Sequence, residues 1–155
     1  MSQKNYLDHN CPIAQPMAIL GGQWTLLIAR DIMNGINKFD SIQRSLSISQ
    51  NLLSQRLQQM ECHGLTKKVV PEGLKRAIYK PTQKCFDLTN TLLALSGRWS
   101  EKWIPDPDGP RINVTSAKTG ETLKLTLLPF DQATKYTRES LRISYGTDLK
   151  KRMKL

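Results

Sequence analysis

The chain has 155 residues, the size of one ordinary domain or of a small domain with an extension. Apolar residues make up 39% of it, enough for a core and too few for a membrane protein. Lys and Arg number 23 against 13 Asp and Glu, and the net charge of +10 favours a polyanionic partner without identifying one.

The first ten residues are polar, so no signal peptide is expected, and no apolar run approaches the ~20 residues that span a bilayer. Three scattered cysteines, Cys11, Cys62 and Cys85, do not make a disulfide scaffold. A reducing, cytoplasmic setting fits them best.

A helix is predicted from Cys11-Pro12, because proline suits the first helical position. Ile13, Pro16, Met17 and Leu20 give it an apolar side, and Gly21-Gly22 end it. A second helix spans about residues 23–34, with Trp24, Leu27, Ile28, Asp31 and Ile32 as its inward stripe and Gly35 as its stop. A third covers Phe39 to Leu46, followed by a tight Ser47-Ile48 connection. Ser49 is the expected N-cap of a fourth helix ending near His63-Gly64. Two helices joined by so short a turn have the helix-turn-helix layout.

Residues 65–70 and 77–80 read as the strands of a β-hairpin. A last helix is expected from Gln83 to Trp103, with more apolar positions than one helix needs for its own core. The segment Pro105-Asp106-Pro107-Asp108-Gly109-Pro110 cannot be regular structure and marks a boundary. Beyond it, residues 112–116, 121–128 and 140–145 are expected as strands, with a turn at Lys118-Thr119-Gly120. The basic end, Lys150 to Lys154, is a second candidate for phosphate contact. The predicted architecture is mainly α with a small β component: a winged helix-turn-helix domain over residues 1–103 and a strand-rich extension over 104–155. Charge does not separate the two parts, with 13 basic and 7 acidic residues in the first and 10 and 6 in the second.

Function concentrates in the fourth helix. At about 100° per residue, Leu53, Leu57 and Met60 form its buried line. The opposite face carries Asn51, Ser54, Gln55 and Gln58, flanked by Gln50 and Arg56. Amides, hydroxyls and an Arg are the groups that read base edges in a major groove. A Gln-rich solvated surface is the plainer reading of the same residues. The hairpin adds Lys75 and Arg76 at its tip and Lys67, Lys68 and Lys80 on its strands, a wing suited to phosphates. A solvated charge cluster is the alternative there.

Enzymatic chemistry finds little support. There are two histidines, no Gly-rich phosphate loop and no nucleophile elbow, and Asp31, Asp87 and Glu101 read as helix surface charges. His9, Cys11, Cys62, His63 and Cys85 lack the spacing of a metal site, so neither metal nor cofactor is expected.

The segments Cys11-Pro12-Ile13, Gly21 to Ile28 (GGQWTLLI), Lys38 to Ile42 (KFDSI) and Ile48 to Leu57 (ISQNLLSQRL) occur in order. Glu61, Gly64-Leu65 and a hairpin ending at Tyr79 follow. Over about residues 8–103 the chain resembles the HxlR-type winged helix-turn-helix transcriptional regulators. The resemblance implies a homodimeric regulator on a palindromic operator in double-stranded DNA; a repressor is expected, though the sequence itself does not separate repression from activation. Its first and last helices would build the dimer. Its DNA contacts would fall on Gln50, Asn51, Ser54, Gln55, Arg56, Gln58, Lys75 and Arg76. It further implies a redox or electrophile sensor at Cys11, where a packed or cap-like thiol is the other reading. The pattern departs at Gln23, where the family commonly has Lys, at Lys80-Pro81, and at a wing tip without the Pro-Pro often found there. No effector is implied. A protein-interaction module on the same scaffold and sequence-independent nucleic-acid binding are the competing functions.

Overall fold

The computed structural model describes residues 7, 10–73, 75–126 and 138–145. They group into two compact units, one before and one after the Phe86–Asp87 bond.

The first unit opens with α1 (Ala14–Leu20) and α2 (Thr25–Met33). The chain enters α1 through a turn at Cys11–Ile13, with Cys11 and Ile13 carbonyls already accepting from Gln15 and Met17 N–H. No residue of α1 is buried, and Ile13 and Met17 remain 69% and 52% exposed. The inward stripe of α2 is Thr25, Ile28, Ala29, Asp31 and Ile32, while Trp24 and Leu27 are half-buried. Asp31 therefore corrects the surface-charge expectation. It is fully buried and paired with Arg30 at 2.7 Å, a placement that its position beside Ile32 on the inward stripe requires.

The helix-turn-helix follows as α3 (Phe39–Leu46) and α4 (Gln50–Cys62). Ser47 takes a left-handed conformation (φ 51°), which turns the chain within three residues. Ser49 Oγ accepts from Leu52 N–H at 3.4 Å, the expected cap. Leu53, Leu57 and Met60 are the buried residues of α4, as its periodicity predicts. The helix ends where Gly64 adopts φ 69° and Leu65 N–H returns to the Met60 carbonyl, while Gly64 N–H reaches that of Glu61. This is the 6→1, 5→2 closure that glycine permits.

Strands β1 (Thr66–Val69) and β2 (Ile78–Pro81) pair antiparallel, with Thr66 opposite Pro81 and Val69 opposite Ile78. Pro81 closes the ladder at its end, where its missing N–H costs least. A bridge between Lys38 and Ile78 and a bond from Tyr79 N–H to the Asn37 carbonyl tie β2 to the entry of α3. The single last helix expected from Gln83 is broken. A short α5 (Gln83–Phe86) ends the first unit.

In the second unit α6 (Thr89–Ala94), a π-helical segment (Leu95–Ser100) and α7 (Glu101–Trp103) run on from one another. Ser96 Oγ donates to the Leu92 carbonyl at 2.7 Å, in competition with the backbone, and Gly97 is a poor helix former. Both loosen the α-helical ladder there. Strands β3 (Ile112–Ser116) and β4 (Leu141–Tyr145) pair antiparallel. The strand expected at 121–128 is reduced to a bridge of Thr122 with Thr115. The Lys118-Thr119-Gly120 turn is present, but residues after Leu123 find no further ladder partner among the described residues. Residues 127–128 and the basic end at 150–154 lie outside the described residues.

Leu57→Ala should lower the unfolding free energy by about 2–5 kcal/mol, since the side chain is fully enclosed. Ser49→Ala, which removes a cap bond at the surface, should cost only about 1 kcal/mol. Urea titrations followed by circular dichroism would check the order. Equal losses would contradict the assignment of Leu57 to the core.

Candidate nucleic-acid interface

The buried line of α4 fixes how that helix is rotated. Gln50, Asn51, Ser54, Gln55 and Gln58 are consequently exposed. The face they make is polar and carries no charge. Cys62, also exposed, lies on the line of Asn51, Gln55 and Gln58, at the helix's far end. Its place there follows from the spacing of the apolar residues.

Arg56 behaves differently from the other predicted contacts. It is half-buried, and its Nη1 donates to Gln59 Oε1 at 2.9 Å. Its guanidinium lies against the backbone of Gly22, in the turn between α1 and α2.

The wing is held to the C-terminal end of α4 by several polar contacts. Glu61 Oε1 accepts from Lys68 N–H at 2.9 Å. Lys84 Nζ donates to the His63 carbonyl at 2.8 Å, a cation at the negative end of the helix. Thr82 Oγ1 donates to the Gly64 carbonyl at 2.6 Å. Tyr79 is buried, and burial, with the Glu61 carboxylate, pushes its hydroxyl above the ordinary value.

Lys75 and Arg76 are exposed in the loop between the strands. Arg76 pairs with Asp40 at 2.7 Å, both side chains being largely in solvent. Register adds a feature beyond the predicted set: Lys67 lies directly opposite Lys80, and both are exposed. Like charges facing across a ladder repel, and an anion between them relieves that. Alternation along the two strands is the sequence signal for this pair.

The three cysteines stand in different surroundings. Cys11 is partly exposed, and bonds from the Ala14 and Ile13 N–H groups hold its thiol below the usual range. Burial pushes Cys85 up to about 11. No disulfide and no group of three or more metal-ligating side chains occurs among the described residues. No helix among them is long and apolar enough to cross a membrane.

The HxlR-like helix-turn-helix family model matches residues 19–108, which takes in the whole of this helix-turn-helix and its wing. The chain belongs to the HxlR-like helix-turn-helix family. An uncharacterized HTH-type transcriptional regulator of Mycobacterium tuberculosis is 30% identical over 110 residues, covering 70% of this chain and 69% of the relative. Among solved structures, the candidate transcription factor PA1607 is similar with a TM-score of 0.73 at 28% identity, over 90% of this chain and 97% of that one. The reduced transcriptional regulator YodB of Bacillus subtilis is similar with a TM-score of 0.53 at 26% identity, over 60% and 93%. YodB has also been solved bound to quinone. This HxlR-like chain is thus a transcriptional regulator of the helix-turn-helix type, from a family that binds DNA rather than catalysing reactions.

Alkylation by iodoacetamide should rank the thiols. Cys62 should react in the native protein and Cys85 only after denaturation. The rate at Cys11 should rise with pH through a midpoint below that of an ordinary thiol, because its thiolate is favoured. Mass spectrometry of the peptides would check this, and a native adduct at Cys85 would contradict its burial.

Proposed function

We propose that this HxlR-like protein represses transcription in the cytoplasm as a homodimer seated on a palindromic operator. The observation that carries the reading is the uncharged polar face of α4, turned outward by its buried seam and flanked by a lysine-rich wing. Gln50, Asn51, Ser54, Gln55 and Gln58 would meet base edges, and Lys75 and Arg76 would meet phosphates. Arg76 can exchange Asp40 for a phosphate at little cost, because an exposed ion pair is weak.

Dimerisation is supported by apolar residues that the chain leaves uncovered. Ile13 and Met17 at α1, and Leu95, Trp99 and Trp103 along the later helical segment, are all exposed. In functional terms the division is a DNA-binding and dimerisation part, residues 1–103, and an extension, 104–155. A two-fold dimer reads a two-fold site, and occupancy alone then blocks transcription. Sensing by Cys11 belongs to the same proposal. Its support is the helix-start N–H groups on the thiol and the similarity to YodB, a regulator solved in reduced and quinone-bound forms.

Selection from a random-sequence DNA pool at ~150 mM salt, where non-specific binding is weakened, tests the reading. A palindromic consensus is expected, and no enrichment would overturn it. On the selected site, Gln55→Ala should reduce discrimination at one base pair by roughly 1–3 kcal/mol. Lys75→Ala should weaken all DNA alike and reduce the salt slope by about 1. Bound operator should also protect Cys62 from alkylation.

A further inference from the structure

We propose that Arg56 is a positioning residue of the recognition helix and not a reader of bases. Its guanidinium, seated on the backbone of Gly22, sets how α4 stands against the turn that joins α1 and α2. The proposal rests on the regulator reading and assigns Arg56 a role outside the base-contacting set.

Four observations carry it. On the helical wheel Arg56 lies about 100° from Gln55 and about 160° from Gln58, on the flank nearer Leu53 and Met60. The side chain is half-buried where the exposed Asn51, Gln55 and Gln58 are not. Its Nη1 already donates to Gln59 Oε1 at 2.9 Å, and its Nε is buried with no hydrogen-bond partner among the described residues. A guanidinium held at Nη1 and enclosed at Nε would have to leave these contacts to offer a guanine edge its full fork. Finally, a Cβ at position 22 would stand 2.7 Å from Nη1, 2.9 Å from Cζ and 3.2 Å from Thr25 Oγ1. Only glycine leaves that seat open.

The neighbouring Gly21 has a separate reason. A Cβ there would run into the Met17 carbonyl oxygen, at the end of α1. The two glycines thus divide the turn, one closing α1 and the other receiving Arg56. Within α1 only Ala14, Ile19 and Leu20 are half-buried, and the turn adds a further tie at Gly22. The seat at Gly22 is therefore a contact through which a shift of α1 reaches the recognition helix.

Gly22→Ala discriminates the two roles, because it touches no residue of the reading face. The group in its way is the far end of a flexible side chain, so the fold should survive while the guanidinium is displaced. Affinities of Gly22→Ala, Arg56→Ala and the double variant would be measured for the selected operator and for operators changed one base pair at a time. Thermal melts and circular dichroism would accompany them. The positioning role predicts that each single variant loses roughly 2- to 30-fold in operator affinity. The loss should be spread evenly over the half-site, and the double variant should be no worse than either. Should Arg56→Ala fail to fold, Arg56→Met keeps the length and is read the same way. A silent Gly22→Ala, with Arg56→Ala or Arg56→Met losing discrimination at one base pair, would overturn the proposal while leaving the regulator reading intact. Additive losses in the double variant would overturn it equally. A wild-type protein that selects no operator would instead remove the regulator reading on which it rests.

Discussion

The seam formed by Leu53, Leu57 and Met60 is the constraint on which the rest of the interface depends. Three large side chains at steps of four and three leave α4 one rotation about its axis. Turning it by one residue, about 100°, would bury glutamines and expose leucine. The outward face is therefore decided by the inward one. The wing inherits its position from the same helix. Leu65, the residue after the left-handed Gly64, is buried beside Met60 and leads directly into β1. Glu61, one step further along α4, then holds Lys68 of that strand.

This arrangement separates two kinds of work that the net charge of +10 would otherwise blur. The exposed face of α4 carries no charge, so it adds little to attraction for phosphates in general. Charge is placed on the wing, at Lys67, Lys68, Lys75, Arg76 and Lys80, all exposed. A polar uncharged face discriminates through hydrogen-bond geometry. A lysine cluster attracts any polyanion and is screened by salt. The opposed Lys67 and Lys80 sharpen the contrast, since their repulsion is tolerated in a strand pair of only four residues each. Such a pair contributes nothing to the hairpin's own stability.

Much of this was legible in the sequence because local rules and tertiary packing agree. The bounds of α3 and α4, the Ser49 cap and the buried line of α4 follow from periodicity and side-chain chemistry alone. The failures lie where a residue answers to something distant. Asp31 sits at a position that pattern alone assigns to the core, and charge alone to the surface; the pattern won because adjacent Arg30 could pair with it. The π-helical segment carries a side-chain bond, from Ser96 to Leu92, that apolar periodicity does not register, and the break before Thr89 has no apolar signature either. Arg56 is a separate matter, since residue type groups it with the reading residues while its surroundings set it apart. Its actual neighbour, Gly22, is 34 positions away, and no spacing rule connects them. The alternation after Gly120 has the pattern of a strand, but past Leu123 it meets no ladder partner among the described residues, and Leu125 is 36% exposed.

The uncovered apolar residues bear on how α1 can exist at all. A seven-residue helix is too short to be stable by its own hydrogen bonds, and helices in proteins draw most of their stability from a packed face. This helix has no buried residue, while Ile13 and Met17, four apart, point an apolar stripe into solvent. The half-buried Ala14, Ile19 and Leu20 give it only a partial packed face, and the exposed stripe is the surface that the proposed dimer would cover. The later helical segment poses the same problem with larger side chains. Leu95, Trp99 and Trp103 recur at steps of four, a spacing that in a regular α-helix drifts by about 40° per step. The π-helical residues Leu95–Ser100 are wound more widely than an α-helix, so the drift differs there. Two tryptophans and a leucine exposed on so short a segment gain nothing for an isolated chain, and they are the larger part of the apolar surface that the proposed dimer would cover.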